Sequence, residues 1–175
     1  MTEDSFAEAG FDVPLLIGSN LNEWAIMGGQ THEVTEEIRQ AFSEAYPNEA
    51  VSGAGNTDTL LRRPLLKIMR HKAAQGGTPV YAYVFTHEVL VAGSFHGVEI
   101  PYVFAHAGNQ ELTKIVSSAW ASFARDGVPS AEGLPVWEPF TTDREATMIL
   151  DLPSYLAIGH DDTLLELLAQ GYDYQ

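Results

Sequence analysis

The chain has 175 residues, 45% of them hydrophobic, with no cysteine and a formal net charge of -15 from nine Lys and Arg against 24 Asp and Glu. That length suits one compact domain, residues 1–175, with a sizeable core, while the charge argues against nucleic acid or an anionic membrane surface as a partner. The lack of cysteine excludes disulfides, thiolate metal sites and a cysteine nucleophile, and favours a cytoplasmic location.

The N-terminus, MTEDSFAEAG, is acidic and lacks the basic start of a signal peptide. Apolar runs reach only about eight residues, where a membrane span needs about 20. VPLLIGS, residues 13–19, is a short apolar run closed by Gly18 and Asn20, the pattern of a strand buried on both faces.

Two helical patterns follow. In THEVTEEIRQAFSEAY the apolar residues Val34, Ile38, Ala41, Phe42 and Ala45 recur at helical spacing, with Thr31 as the N-cap candidate. In TDTLLRRPLLKIMRHKAAQGG the stripe is Leu61, Leu65, Ile68 and Met69; Pro64 predicts a kink, and Gly76 with Gly77 a stop.

PVYAYVFTH, residues 79–87, is a second strand, rich in β-branched and aromatic residues. ELTKIVSSAWASFARDG places Leu112, Ile115, Val116, Ala119, Trp120 and Phe123 on one helix face and ends at Gly127 and Pro129. Helical spacing of Trp120 and Phe123, and strand-like alternation of Tyr102 and Phe104, predict core packing for all four rings.

TMILDL, residues 147–152, is a weaker third strand, and DDTLLELLAQG a last helix in which Thr163 and Glu166 have capping-box spacing. This order predicts an α/β protein with few, mostly parallel strands flanked by helices.

In such sheets, functional residues collect in the loops beyond the carboxyl ends of the strands. Glu23 lies four residues beyond the first strand, in NLNEW, and His96 nine beyond the second, in GSFHGVEIPYVF. Read singly, each has a bland alternative as a surface or structural residue. Together they form the last two members of the nucleophile, acid, base order that α/β-hydrolases use. A neutral imidazole takes the proton from a serine hydroxyl, and a buried carboxylate fixes its tautomer and stabilises the imidazolium that forms. Glu23 would orient and His96 would shuttle the proton.

The stretches VPLLIGSNLNEW, VYAYVFTHE, GSFHGVEIPYVF and WASFARDGVPS followed by LPVWEPF give a specific likeness, in order, between about residues 13 and 140. With them the chain resembles the type-B carboxylesterases, which include para-nitrobenzyl esterases and cholinesterases. The resemblance implies the C-terminal part of an α/β-hydrolase fold, with Glu23 as triad acid and His96 as triad base. Glu99 matches an acidic position shortly after the family's histidine and is expected to be structural, tying its loop to backbone donors. Where the family loop commonly reads aspartate, glutamate, glycine, this chain reads Asn22, Glu23, Trp24.

A family member carries a G-x-S-x-G nucleophile elbow and a glycine-rich oxyanion segment upstream of its acid. Ser5, Ser19, Ser43, Ser52, Ser94, Ser117, Ser118, Ser122, Ser130 and Ser154 all lack a glycine two positions before them. The resemblance therefore implies the C-terminal portion of a serine carboxylesterase, supplying acid and base and expected to be inactive alone. Its expected partners are an N-terminal esterase portion carrying the serine, with a small ester as substrate of the complete enzyme, or a second copy of itself. A different class of reading is a non-catalytic oligomerisation or partner-binding module. A third, an independent hydrolase using Ser94, lacks the elbow spacing. His87, Glu88, His96, Glu99 and His106 do not have metal-ligand spacing, and no cofactor is expected.

Overall fold

The structure is a computed structural model that describes residues 13–28, 31–89 and 93–169. The acidic start and the end of DDTLLELLAQG lie outside the described residues. Four strands, β1 (Leu15–Asn20), β2 (Val80–Phe85), β3 (Ala146–Leu150) and β4 (Tyr155–Ile158), form one sheet in the order β1-β2-β3-β4. β1 and β2 run parallel from Leu15↔Val80 to Asn20↔Phe85, as do β2 and β3 from Ala82↔Thr147 to Phe85↔Leu150. β4 returns antiparallel, Ala146 opposite Ile158, after a turn that contains a cis Leu152–Pro153 bond. The described chain is thus α/β with a mostly parallel, mixed sheet, and no helix in it is long and apolar enough to cross a membrane.

Helices cover both faces because successive residues of a strand point to opposite sides. From β2, Val80, Ala82 and Val84 face α1 (Glu36–Ala45), α2 (Arg62–Gln75) and α5 (Asp162–Leu168), packing on Phe42, Leu66, Met69, Leu164 and Leu165. Tyr81, Tyr83 and Phe85 face the short α3 (Ile100–Val103) and α4 (Gln110–Asp126), against Leu112, Val116, Ala119 and Trp120. At about 25 cal/mol per Å2 of apolar surface, each fully buried aromatic or aliphatic side chain here contributes roughly 1.5–3 kcal/mol.

Several local expectations change. α1 is capped by Thr35, whose Oγ1 accepts the Ile38 N–H at 3.3 Å, rather than by Thr31. Pro64 falls in the first turn of α2, where its missing N–H costs no helix bond, so it starts the helix instead of kinking it. The buried face of α2 is Arg62, Leu66, Met69 and Lys72, so of the predicted stripe Met69 lies on it and Leu65 packs partly buried beside it, while Leu61 precedes the helix. Thr163 sits inside α5, after the N-cap Asp161, so the Thr163–Glu166 box does not form. Gly76 and Gly127 do end their helices in the left-handed conformation, at φ 69° and 73°.

Tyr102 is buried against Phe85, and Trp120 and Phe123 pack on the α4 side, as their spacing predicts. Phe104 differs: its segment forms α3 rather than a strand, and its side chain is 68% exposed.

Beneath α1 and α5 lies a buried polar cluster. Arg62 Nε and Nη2 donate to Asp161 at 2.7 and 3.1 Å, and the Tyr46 hydroxyl donates to the same carboxylate at 3.1 Å. His160 packs edge-on to Tyr46, and neither of its ring nitrogens has a hydrogen-bond partner. Burial, reinforced by the Arg62 charge and opposed by Asp161, pushes His160 down to about 4 from 6.5. The folded state thus keeps this ring neutral while the unfolded chain takes up a proton near pH 6.5. Stability from this group is complete above that pH and is lost as pH falls toward 4, a loss of roughly 3 kcal/mol. Urea unfolding at pH 7 and pH 4 should show that loss in the wild type and not in His160→Phe, with contributions common to both proteins cancelling in the comparison.

Candidate active site

The site is built where β1 and β2 end side by side. Beyond Asn20 the chain turns through residues 21–28, and the loop after β2 is stitched to that turn by main-chain bonds. Asn22 N–H donates to Ser94 O at 3.1 Å, and His96 N–H to Glu23 O at 2.9 Å. Ser94 Oγ accepts the Leu21 N–H at 3.1 Å, so this fully buried hydroxyl is committed to joining the loops, which removes it as a nucleophile candidate. Gly93 has φ +72°, and a Cβ there would stand 2.5 Å from Asn22 Oδ1, which accepts the Ser94 N–H at 3.3 Å. A glycine is required by both the backbone angle and the close approach.

Gly93→Ala should therefore lower stability by about 1–2 kcal/mol from the left-handed angle, with a further cost for displacing Asn22. Hydrogen exchange at the His96 amide, which reports the bond to Glu23 O, should accelerate in that variant. Unchanged exchange would mean that the two loops do not depend on this turn.

Glu23 and His96, 73 residues apart, meet: Nδ1 of His96 lies 2.7 Å from Glu23 Oε2. The other carboxylate oxygen accepts the Asn20 N–H at 2.7 Å. Burial pushes the Glu23 carboxyl up, and nearby Asp58 adds to this, while the Asn20 N–H and the His96 side chain pull it back. The carboxylate is 5% exposed and the imidazole 52% exposed, so the acid is enclosed while the ring faces outward. With Glu23 ionised, Nδ1 carries the proton and Nε2 presents a lone pair, the form a general base needs.

Glu99 also lies here, but its partner is a side chain: Asn20 Nδ2 donates to Oε2 at 2.6 Å. The same Nδ2 donates to Phe95 O at 3.0 Å, so Asn20 clamps both flanks of the His96 loop. Asn20, Trp24 and Asp58 are site residues that the sequence reading missed. Asn20, ending the strand three residues before Glu23, was the available signal, but its partners lie 75 and 79 residues away.

Trp24 stacks on His96, with ring centroids 5.7 Å apart and planes 7° from parallel. Its indole Nε1–H donates to Asp58 Oδ1 at 3.1 Å. Asp58 is buried and accepts the N–H groups of Leu60, Leu61 and Arg62 at the head of α2. Burial pushes its carboxyl up, against the pull of those backbone donors and the indole.

A second histidine–carboxylate pair, His87 Nδ1 with Asp151 Oδ1 at 2.5 Å, lies past the ends of β2 and β3. Among the described residues no group of three or more His, Asp or Glu side chains is arranged to hold a metal ion.

A mostly parallel sheet covered on both faces, with a buried glutamate and a histidine paired beyond adjacent parallel strands, is the arrangement of an α/β-hydrolase. The carboxylesterase family model matches residues 31–161, and the chain belongs to that family. It is 26% identical to human cocaine esterase, over 82% of this chain and 34% of that protein. It is also 26% identical to the para-nitrobenzyl esterase of Bacillus subtilis (strain 168), over 91% of this chain and 38% of that protein. Among solved structures it superposes on an esterase from anaerobic Clostridium hathewayi that can hydrolyze aliphatic aromatic polyesters. That match has a TM-score of 0.81 and 28% identity, covering 91% of this chain and 38% of that one. A para-nitrobenzyl esterase structure, at 24% identity and TM-score 0.66, shares the fold over 95% of this chain and 40% of its own. The chain thus spans a little over a third of the length of these relatives.

Proposed function

We propose that these residues supply the acid, Glu23, and the general base, His96, of a serine carboxylesterase whose nucleophile lies in polypeptide outside this sequence. The reading rests on one observation above all: an enclosed carboxylate bound to Nδ1 of a half-exposed imidazole. In the complete site His96 Nε2 takes the serine proton during attack on the ester carbonyl and returns it to the leaving alcohol. The Glu23 carboxylate stabilises the imidazolium between those steps. Water then repeats the sequence on the acyl-enzyme. By itself the chain has no elbow serine for His96 to activate, so hydrolysis requires the second portion.

Co-expression with an N-terminal portion carrying a G-x-S-x-G elbow is expected to give a complex that hydrolyses a short-chain nitrophenyl ester. A stable complex without hydrolysis would remove this reading.

A second reading, a non-catalytic module that binds its own copy, draws on Ile26, Met27, Ile100 and Phe104, which are 52–68% exposed on the segments following Trp24 and His96. It requires the 175-residue chain to form a well-folded oligomer without another partner, and His96→Ala to leave both assembly and any ester hydrolysis of the co-expressed complex unchanged.

A further inference from the structure

We infer that Trp24 is a positioning residue for His96, and that Asp58 holds it in place from the head of α2. This inference deepens the proposed function and depends on it for its catalytic consequence, but not for the geometry it describes.

The His96 loop is poorly suited to hold an imidazole still. Gly93 and Gly97 flank it, both with positive φ, and the ring is half exposed. The bond from Nδ1 to Glu23 fixes one atom of the ring but leaves the plane free to pivot about the hydrogen-bond direction. The Trp24 face, 7° from parallel, supplies the missing constraint. The indole is itself anchored, since its N–H reaches Asp58, and Asp58 is locked by three main-chain donors and buried. A rigid line therefore runs from the first turn of α2 through Asp58 and Trp24 to the base.

The same contact can also accommodate the imidazolium that proton transfer forms. An imidazolium over an indole face is attracted by the ring's π electrons. Three acidic groups lie nearby: Glu23 on the loop after β1, Asp58 behind the indole, and Glu99 across Asn20. Trp24 is thus placed to steady the base in both protonation states through which proton transfer carries it.

The test reads the geometry first. Protonated imidazole quenches a stacked indole, so the emission of the 175-residue chain should fall on acidification. The fall should be absent from Trp24→Phe, which leaves Trp120 and Trp137 as reporters, and from His96→Gln. The proton resonance of His96 Nδ1–H should be sharp in the wild type and in Trp24→Phe, and broadened by exchange in Trp24→Ala. Emission that does not change with pH, a change that survives His96→Gln, or a Trp24→Ala resonance as sharp as the wild type overturns the inference.

In the co-expressed complex, Trp24→Ala should lower kcat roughly tenfold with KM within about twofold, and Trp24→Phe should recover most of it. A wild-type complex without hydrolysis counts against the proposed function alone, because the emission and resonance results decide the role of Trp24 by themselves.

Discussion

In a reconstituted esterase, His96→Ala should lower kcat for a nitrophenyl ester by a factor on the order of 10^6, and Glu23→Gln by on the order of 10^4. The difference follows from what each side chain does. Alanine at 96 removes the proton acceptor outright. Glutamine at 23 can still accept the Asn20 N–H, but its uncharged amide neither enforces the Nδ1–H tautomer nor stabilises the imidazolium. Because the two residues act as a unit, the double variant should be little worse than His96→Ala. The fold should survive His96→Ala, since the side chain is half exposed and the bond that ties this loop to Glu23 O comes from the backbone N–H. Equal activity of Glu23→Gln and wild type, with the fold intact, would sink the assignment of the acid.

The second large effect concerns stability. Arg62 and Asp161 are each 3% exposed and 99 residues apart, and they pair through two hydrogen bonds. Burial alone would push the Asp161 carboxyl up. The Arg62 charge, His160 and the hydrogen bonds from Arg62 and Tyr46 outweigh burial and hold the carboxyl well below the usual carboxylate range. Asp161→Ala leaves the guanidinium buried without its counter-ion and should cost about 3–5 kcal/mol. The double replacement Arg62→Met with Asp161→Leu removes both charges and should cost clearly less than Asp161→Ala. Urea midpoints of the wild type, Asp161→Ala and the double variant decide it: a double variant as unstable as Asp161→Ala would mean that the cost does not come from an unpaired buried charge.

Most of the elements were legible because their signals are local. β1, β2 and β3 are runs whose residues are apolar on both faces, and α1 and α4 carry their buried residues at the spacing of a helix. β4 escaped detection because three of its four residues are only partly buried, the fourth, Ile158, is exposed, and it becomes a strand by pairing with β3. α3 escaped for a related reason: four residues, opened by Ile100 and Pro101, carry too little periodicity to be distinguished from a strand.

The chemistry divides in the same way. Glu23 and His96 could be singled out as candidates from the sequence because strand ends and flanking glycines are local marks, and because the order of a carboxylate before a histidine is itself a property of sequence. The 2.7 Å contact between them, and the roles of Asn20, Trp24 and Asp58, depended on tertiary structure. Asn20 is an ordinary strand-ending residue until the loop carrying Phe95 and Glu99 returns to it. Trp24 is an ordinary aromatic until His96 is laid against its face. Asp58, 34 residues beyond the indole it anchors, is an ordinary loop carboxylate until the chain folds it against Trp24. The sequence by itself determined which groups can accept, donate or shuttle a proton, since that is covalent chemistry. Which of them meet was decided by the parallel pairing of β1 with β2, which brings the two loops to one edge of the sheet.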